Sequence, residues 1–588
     1  MFQENIYPMT KTPTAALPSP GSNLDRWAHA QLSPLTRGVS TAALRMAFGD
    51  WLTHLSHNPG EQLELAQTAA QMFQQFATYV AQAAQSHCEP CVEPMVQDHR
   101  FADPAWQGWP FNVVSQSFLL TQQWWQDATT GVRGVSAHHE DVVSFTVRQW
   151  LDIFSPANFI GTNPEVLQRT ATTFGANLVQ GLQNLAEDTQ RLQAHAPPVG
   201  TEAYQVGKNI AITAGKVIYR NRLIELIQYE PAGAKVRPEP ILVVPSWIMK
   251  YYILDLSPGN SLIKYLVEQG HTVFCISWKN PGSEDRDLGL DDYLRLGVMD
   301  AIDAVGTIVP GQKMHAVGYC LGGTLLAIAA AAMGRDGDDR LATMSLLAAQ
   351  TDFTEPGELA LFIDDSQVSY LEDIMWDKGY LDDSQMAGAF QLMASGDLLW
   401  SRMLKTYLMG ERTPVSDLMA WNADGTRLPY RMHTEYLRGL FLQNDLASGR
   451  YRVGDKPVAL TDIQCPIYCI GTERDHVAPW RSVHKLHLLT DSEVTFLLTS
   501  GGHNVGIVNP PGVPGRSYQV LTRKHGSKYL DPDAWLEAAP QFDGSWWPHW
   551  AGWLQAQSRE PVAVPSMGAA VKGLAPICAA PGTYVLQK

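Results

Sequence analysis

Met314-His-Ala-Val-Gly-Tyr-Cys-Leu-Gly-Gly-Thr324 decides how the rest of the chain is read. A short apolar strand, Met314–Val317, runs into a tight turn with Cys320 at its apex, and a helix-forming run, Leu325–Met333, follows. Gly318 and Gly322 lie two residues to either side of the cysteine, where a strained turn brings strand and helix backbones close together. Gly323 extends the pattern to G-x-C-x-G-G. An elbow of this kind lifts the nucleophile clear of a sheet, and the helix N-terminus behind it favours the thiolate. On these residues alone, a buried cysteine in a Gly-rich strand–helix turn is the competing reading.

Working outward, the flanking sequence alternates strand and helix. Leu223–Tyr229, Pro240–Pro245, His271–Ser277, Met344–Ala348, Cys465–Ile470 and Glu493–Leu498 read as strands, the last two being the final ones. Ser261–Gln269 and Leu290–Val309 read as helices. Continuous apolar strands separated by helices imply a doubly wound, mostly parallel sheet. With the elbow, the expected class is α/β, an α/β-hydrolase fold over residues 201–560. Between about 352 and 455 the alternation stops and the chain is helical and rich in Met, Trp, Tyr and Leu, as a lid insertion would be. An extra helical layer without gating is the alternative.

Residues 25–200 read as a helical N-terminal domain, with one helix near Gly60–Gln85 and another from Glu165 to about Leu192, capped by Thr162 or Asn163. Residues 1–24 read as a disordered tail and 561–588 as a C-terminal tail. The 588 residues carry a formal net charge of −16 and no basic run, which argues against nucleic acid as a partner. Eighteen Trp point either to apolar surfaces or simply to core. Seven scattered Cys suggest no disulfide framework and a cytoplasmic setting. His87, Cys88 and Cys91 look like half a zinc site without its other half, so no metal is expected. No run is long enough to span a bilayer, and the N-terminus does not read as a signal peptide.

An elbow nucleophile needs a base and the base needs an orienting acid, in this fold in the chain order nucleophile, acid, His. Asp475 follows the strand Ile467–Ile470, and His503 follows the strand ending near Leu498, behind two glycines. Asp352 and Glu473 are the rival acids. The oxyanion hole would use the Leu321 N–H with one from Trp247 or Ile248, just past the strand ending at Pro245.

Beyond the elbow, the chain resembles the polyhydroxyalkanoate synthases, single-subunit type. The likeness rests on Gly318–Gly323, Val244–Leu256 with Asn260-Ser-Leu, Glu268–Phe274, Ser277–Pro281, Trp421–Pro429, Arg474–Trp480, Gly502-His503 with Val508–Pro511, and Gly544–Trp550. In the N-terminal half it includes Ser155–Phe159, Thr162–Glu165 and Leu24–Gly60, so it covers nearly the whole chain. The resemblance implies that Cys320 carries the acyl group, His503 is the base and Asp475 the acid, acting on His503 or on an incoming hydroxyl. It implies polymerisation of (R)-3-hydroxyacyl-CoA, such as 3-hydroxybutyryl-CoA, with release of CoA and no cofactor. It also implies a homodimer at a polyester granule surface in the cytoplasm. Lys250, Arg427 and His476 are candidates for the CoA entrance. Three positions depart from the family pattern: Arg474 within the acid loop, Asn504 after the His, and Tyr319 in the elbow. A Cys-dependent thioesterase on the same fold is the alternative function. A non-catalytic granule scaffold is a second one, against which the complete triad argues.

Overall fold

The apolar runs that announce strands become the centre of one eleven-stranded sheet. A computed structural model of the chain describes residues 20–588 apart from 37, 84–88, 96–97, 383–384 and 386–399. The sheet strands are β1 (Gly215–Arg220), β2 (Ile224–Tyr229), β3 (Ile241–Val244), β4 (Val273–Trp278), β5 (Met314–Tyr319) and β6 (Leu341–Leu347). They continue with β7 (Ile467–Thr472), β8 (Val494–Thr499), β9 (Ser517–Arg523), β10 (Gln541–Asp543) and β11 (Cys578–Ala579). Their spatial order is β10-β9-β8-β7-β6-β5-β3-β4-β2-β1-β11. The middle six, β4, β3, β5, β6, β7 and β8, pair in parallel, and the pairs outside them are antiparallel. β3, β5 and β8 are buried on both faces, which is why they read as unbroken apolar runs.

The expectation that Glu493–Leu498 ends the sheet fails: β9, β10 and β11 follow it. β9 carries Ser517, Gln519, Thr522 and Arg523 and is mostly half-buried, so it lacks the apolar run of a central strand. The C-terminal segment 561–588 is no tail. β11 forms the sheet edge, and Val562–Ala563 pairs with Lys235–Val236. The buried carboxylate of Glu225 accepts from the Thr583 and Tyr584 N–H groups, at 2.8 and 2.9 Å, and pairs with Arg220.

Among the described residues, seven α-helices occupy the N-terminal region: α1 (Pro20–Thr36), α2 (Thr41–His57), α3 (Pro59–Ala83), α4 (Phe111–Thr129), α5 (Ala137–Ile153), α6 (Pro164–Thr172) and α7 (Ala176–Gln193). α1 begins at Pro20, so residues 20–24 are helical rather than tail; residues 1–19, like His87 and Cys88, lie outside the described residues. The single helix expected over Glu165–Leu192 is two, because Phe174 and Gly175 take left-handed φ values of 52° and 83°. Asn163 is the cap of α6, accepting from the Glu165 and Val166 N–H groups, with Pro164 at the first position.

These helices dock on the insertion rather than on the sheet. Ser40 N donates to Gln367 Oε1 (2.7 Å), His29 bonds Asp373 (2.7 Å), and Asn177 and Asn184 donate to the carbonyls of Leu408 and Thr406. The described part of the insertion is helical, led by Asp365–Lys378, as its composition suggests. Trp serves both ends anticipated for it: Trp106, Trp535, Trp546, Trp547 and Trp550 are fully buried, whereas Trp27, Trp109 and Trp150 are exposed. No described helix is long and apolar enough to cross a membrane.

Candidate active site

Cys320 sits between β5 and the helix Leu321–Asp336, with φ 51°. A non-glycine residue held there stores strain of about 1–3 kcal/mol, which the surroundings must over-determine. They do. The Cys320 N–H donates to Leu347 O (2.9 Å), and its carbonyl accepts from the Gly323 and Thr324 N–H groups (2.9 and 3.2 Å). A Cβ at Gly318 would collide with the Gly323 backbone, and one at Gly322 with the carbonyls of Val244 and Pro245. The G-x-C-x-G spacing is therefore a packing requirement of this turn.

The acid and base arrive from other strands. Asp475 follows β7, and its carboxylate has no exposure. Its Oδ1 accepts from the Val477 and Ala478 N–H groups at 2.9 and 2.8 Å; its Oδ2 accepts from Thr472 Oγ1 at 2.8 Å and from His503 Nδ1 at 2.8 Å. Burial alone would raise its pKa, but the His503 charge and these donors hold it below the ordinary carboxylate value. His503 follows β8 and, besides its bond to Asp475, lies within electrostatic reach of Cys320. Burial would lower the His503 pKa, but the negative charges of Asp475 and Cys320 outweigh it and leave it well above the usual imidazole value. A base held in this way by a buried carboxylate is suited to take a proton from a nucleophile beside it.

The rival acids lie elsewhere. Asp352 accepts from the Thr354 N–H (2.7 Å) and from Asn444 Nδ2 (3.2 Å), and Glu473 is exposed. Of the oxyanion candidates, Leu321 opens the elbow helix, and Trp247 and Ile248 follow β3, whose end pairs with the elbow strand at Val244 and Gly318. Thr426 Oγ1 donates to both carbonyls of that pair, and the Ile248 N–H is already engaged by Ser246 Oγ at 3.3 Å.

Two of the three side chains expected at a CoA entrance are engaged elsewhere. Lys250 is buried, donating to the carbonyls of Val585 (2.6 Å) and Gln587 (2.8 Å) and pairing with Asp424 at 3.2 Å. Arg427 bonds the carbonyls of Pro281 and Lys588 and stacks on Tyr380. Lys250, in the loop after β3, and Arg427, in the insertion, both tie the C-terminus to the insertion, a role invisible in sequence because Val585, Gln587 and Lys588 lie more than 150 residues from them. His476 does not join the triad; its exposed ring lies 3.5 Å from Glu358. The arrangement that sequence reasoning missed is a contact between two flagged positions: Tyr319 Oη donates to Asn504 Oδ1 at 2.6 Å.

With this geometry in place, likeness to known proteins becomes informative. Residues 97–266 match the family model described as the poly-beta-hydroxybutyrate polymerase (PhaC) N-terminus. Residues 239–510 match the alpha/beta hydrolase fold, and residues 19–61 the poly-beta-hydroxybutyrate polymerase N-terminal model. The chain is 38% identical over 574 residues to a poly(3-hydroxyalkanoate) polymerase of Methylorubrum extorquens, covering 97% of this chain and 92% of the relative. It is 36% identical over 574 residues to the poly(3-hydroxyalkanoate) polymerase subunit PhaC of Rhizobium meliloti (strain 1021), covering 96% and 93%. Against the corresponding subunit of Cupriavidus necator it is 34% identical over 502 residues, covering 84% of each chain.

Proposed function

The chain belongs to the poly(3-hydroxyalkanoate) polymerase family, and from that premise we propose that Cys320, His503 and Asp475 polymerise (R)-3-hydroxyacyl-CoA, with 3-hydroxybutyryl-CoA the preferred substrate. The observation that carries the assignment is the buried His503–Asp475 hydrogen bond beside the Cys320 elbow, with the ring of Tyr319, the residue before Cys320, lying 5.6 Å from that of His503.

In the first half-reaction His503 takes the proton from Cys320 Sγ. The thiolate attacks the thioester carbonyl, the carbon–sulfur bond to CoA breaks, and the CoA thiolate leaves with the proton from His503. The oxyanion formed on the way is held by the Leu321 N–H and the Trp247 N–H. In the second half-reaction His503 removes the proton of a hydroxyl on another hydroxyacyl group. That oxygen attacks the Cys320 thioester, an ester forms, and the cysteine is released and reprotonated. Because both oxygens of Asp475 are filled by hydrogen bonds, its role is to hold and charge-balance His503 rather than to meet the hydroxyl itself. The CoA thioester supplies all the driving force, so the three side chains suffice without a cofactor.

An ester product demands that water stay out, and the helical insertion supports that role as a lid. The product is apolar. The N-terminal helices expose Phe73, Trp150, Phe174 and Leu182, among others, which supports contact with a polyester surface or a second copy of the chain. We read the working enzyme as a cytoplasmic homodimer at the granule, a reading that these exposed side chains support.

The test is incubation with (R)-3-hydroxybutyryl-CoA, following CoA release and recovering the acyl product. Insoluble high-mass polyester is expected; free 3-hydroxybutyrate alone would instead establish a thioesterase. His503→Gln is expected to acylate about a hundredfold to ten-thousandfold more slowly, the usual worth of a general base; a wild-type burst of CoA would remove His503 from that role.

A further inference from the structure

The nucleophile and its base stand on strands that do not touch. β5 leads to Cys320 and β8 leads to His503, with β6 and β7 between them. At about 4.8 Å per neighbouring strand, the two strand ends are about 14 Å apart. Asp475, from β7, holds His503 from one side. Nothing in the triad itself links the His503 loop back to the elbow before the proton is shared.

Tyr319 supplies such a link. It directly precedes Cys320, is 2% exposed, and lays its ring against that of His503, with centroids 5.6 Å apart and planes inclined by 33°. Its hydroxyl donates to Asn504 Oδ1 at 2.6 Å, and Asn504 directly follows His503. Asn504 is also the fixed point of its loop, since its carbonyl accepts from the Ile507 and Val508 N–H groups at 3.2 and 2.9 Å. One side chain from the residue before the nucleophile thus contacts both the base and the residue after it.

Resting on the triad assignment above, we propose that Tyr319 and Asn504 form a positioning pair that sets the register of His503 against Cys320. Tyr319 is suited to it as a permanent donor: burial, then the charges of Cys320 and Asp475, raise its pKa well above the ordinary phenol value. The ionisable groups facing His503 are those same three, Asp475, Cys320 and Tyr319. A phenylalanine at 319 would keep the ring contact and lose the tether. An apolar residue at 504 would leave the buried phenol without its acceptor.

The test compares Tyr319→Phe, Asn504→Ala and the double variant. Each is read by kcat and KM with hydroxyacyl-CoA, by thermal unfolding, and by the pH profile of iodoacetamide alkylation at Cys320, located by peptide mapping. The expected result is a fall of about five- to tenfold in kcat for each single variant, the factor that one net hydrogen bond corresponds to. KM should be unchanged and the alkylation profile displaced. The double variant should lose no more than the worse single one, because the two residues act as a unit. Independent, multiplying losses would overturn the proposal, as would a wild-type alkylation profile in Tyr319→Phe. Should Tyr319→Phe fold poorly, Asn504→Ala decides alone, since it alters a half-buried loop side chain. Alkylation needs no acyl substrate, so a product other than polyester would sink the polymerase reading while leaving this test standing.

Discussion

The catalytic domain and the N-terminal helices use the same apolar residue types in opposite ways. Around the sheet, Trp546, Trp547, Trp550, Phe274 and Phe496 are fully enclosed. In the helical region the enclosed clusters are small, one around Trp106 and Phe118 and another around Val143 and Val147. Most of the large hydrophobic residues that are exposed lie between Leu24 and Leu192. A domain that hides its apolar surface is sufficient to itself, whereas one that leaves Phe73 and Phe174 in water has surface to give to something else. The helical region makes polar contacts with the insertion, through Gln367, Asp373, Thr406 and Leu408, so its exposed apolar surface is joined to that insertion.

The contrast can be broken at its chemical centre. Cys320→Ala should reduce acyl transfer by at least about a thousandfold while leaving thermal unfolding unchanged, because it removes the only nucleophile at the elbow and opens no large cavity. Full turnover by that variant would end the mechanism. Next comes the frame of the catalytic domain. Lys250→Ala leaves two C-terminal carbonyls without their buried donor and Asp424 with Lys588 as its remaining cation, and should cost about 1–3 kcal/mol in urea unfolding. A loss within the error of that measurement would show that the Lys250 contacts are not what holds the C-terminal segment.

Acid sharpens the comparison. Burial pushes His271 and His487 down to about 3, and His315, His433 and His484 to about 4, all within the catalytic domain and its insertion. Each is favoured neutral in the fold, so its contribution is complete above the unfolded value of about 6.5 and drains away as pH falls toward 4. The urea midpoint of the catalytic domain should therefore fall between pH 7 and pH 5, with about that interval set by the histidine range. Among the described residues of the helical region no histidine is buried, and no comparable loss is expected there. A transition that moves equally in both regions would refute the division. The smallest effect on stability should come from Phe73→Ser, within about 0.5 kcal/mol, because the ring is exposed. Its consequence should appear instead as weaker sedimentation with polyester at unchanged early CoA release.

The positions of Cys320, Asp475 and His503, the proposed nucleophile, acid and base, were legible because each follows a strand announced by an apolar run. The parallel centre was legible for the same reason. The antiparallel margin was not: β9 mixes Ser, Gln and Thr with apolar residues, and β11 is two residues long and exists only because β1 offers an edge. Lys250 and Arg427 read as entrance cations because a charged side chain is usually solvated, and only the folded C-terminus shows them enclosed.

What the sequence determined by itself was local: a turn whose glycines admit no side chain, strands marked by unbroken hydrophobicity, and a catalytic order. What tertiary structure alone decided was which distant groups share a site. Asp475 prevails over Asp352 and Glu473 because β7 lies beside β8 and aims its end at His503. Tyr319 and Asn504, individually only departures from a family pattern, become partners 185 positions apart. Spacing along the chain sets local geometry through backbone sterics, but contacts between strand ends depend on sheet order, which the whole core settles at once.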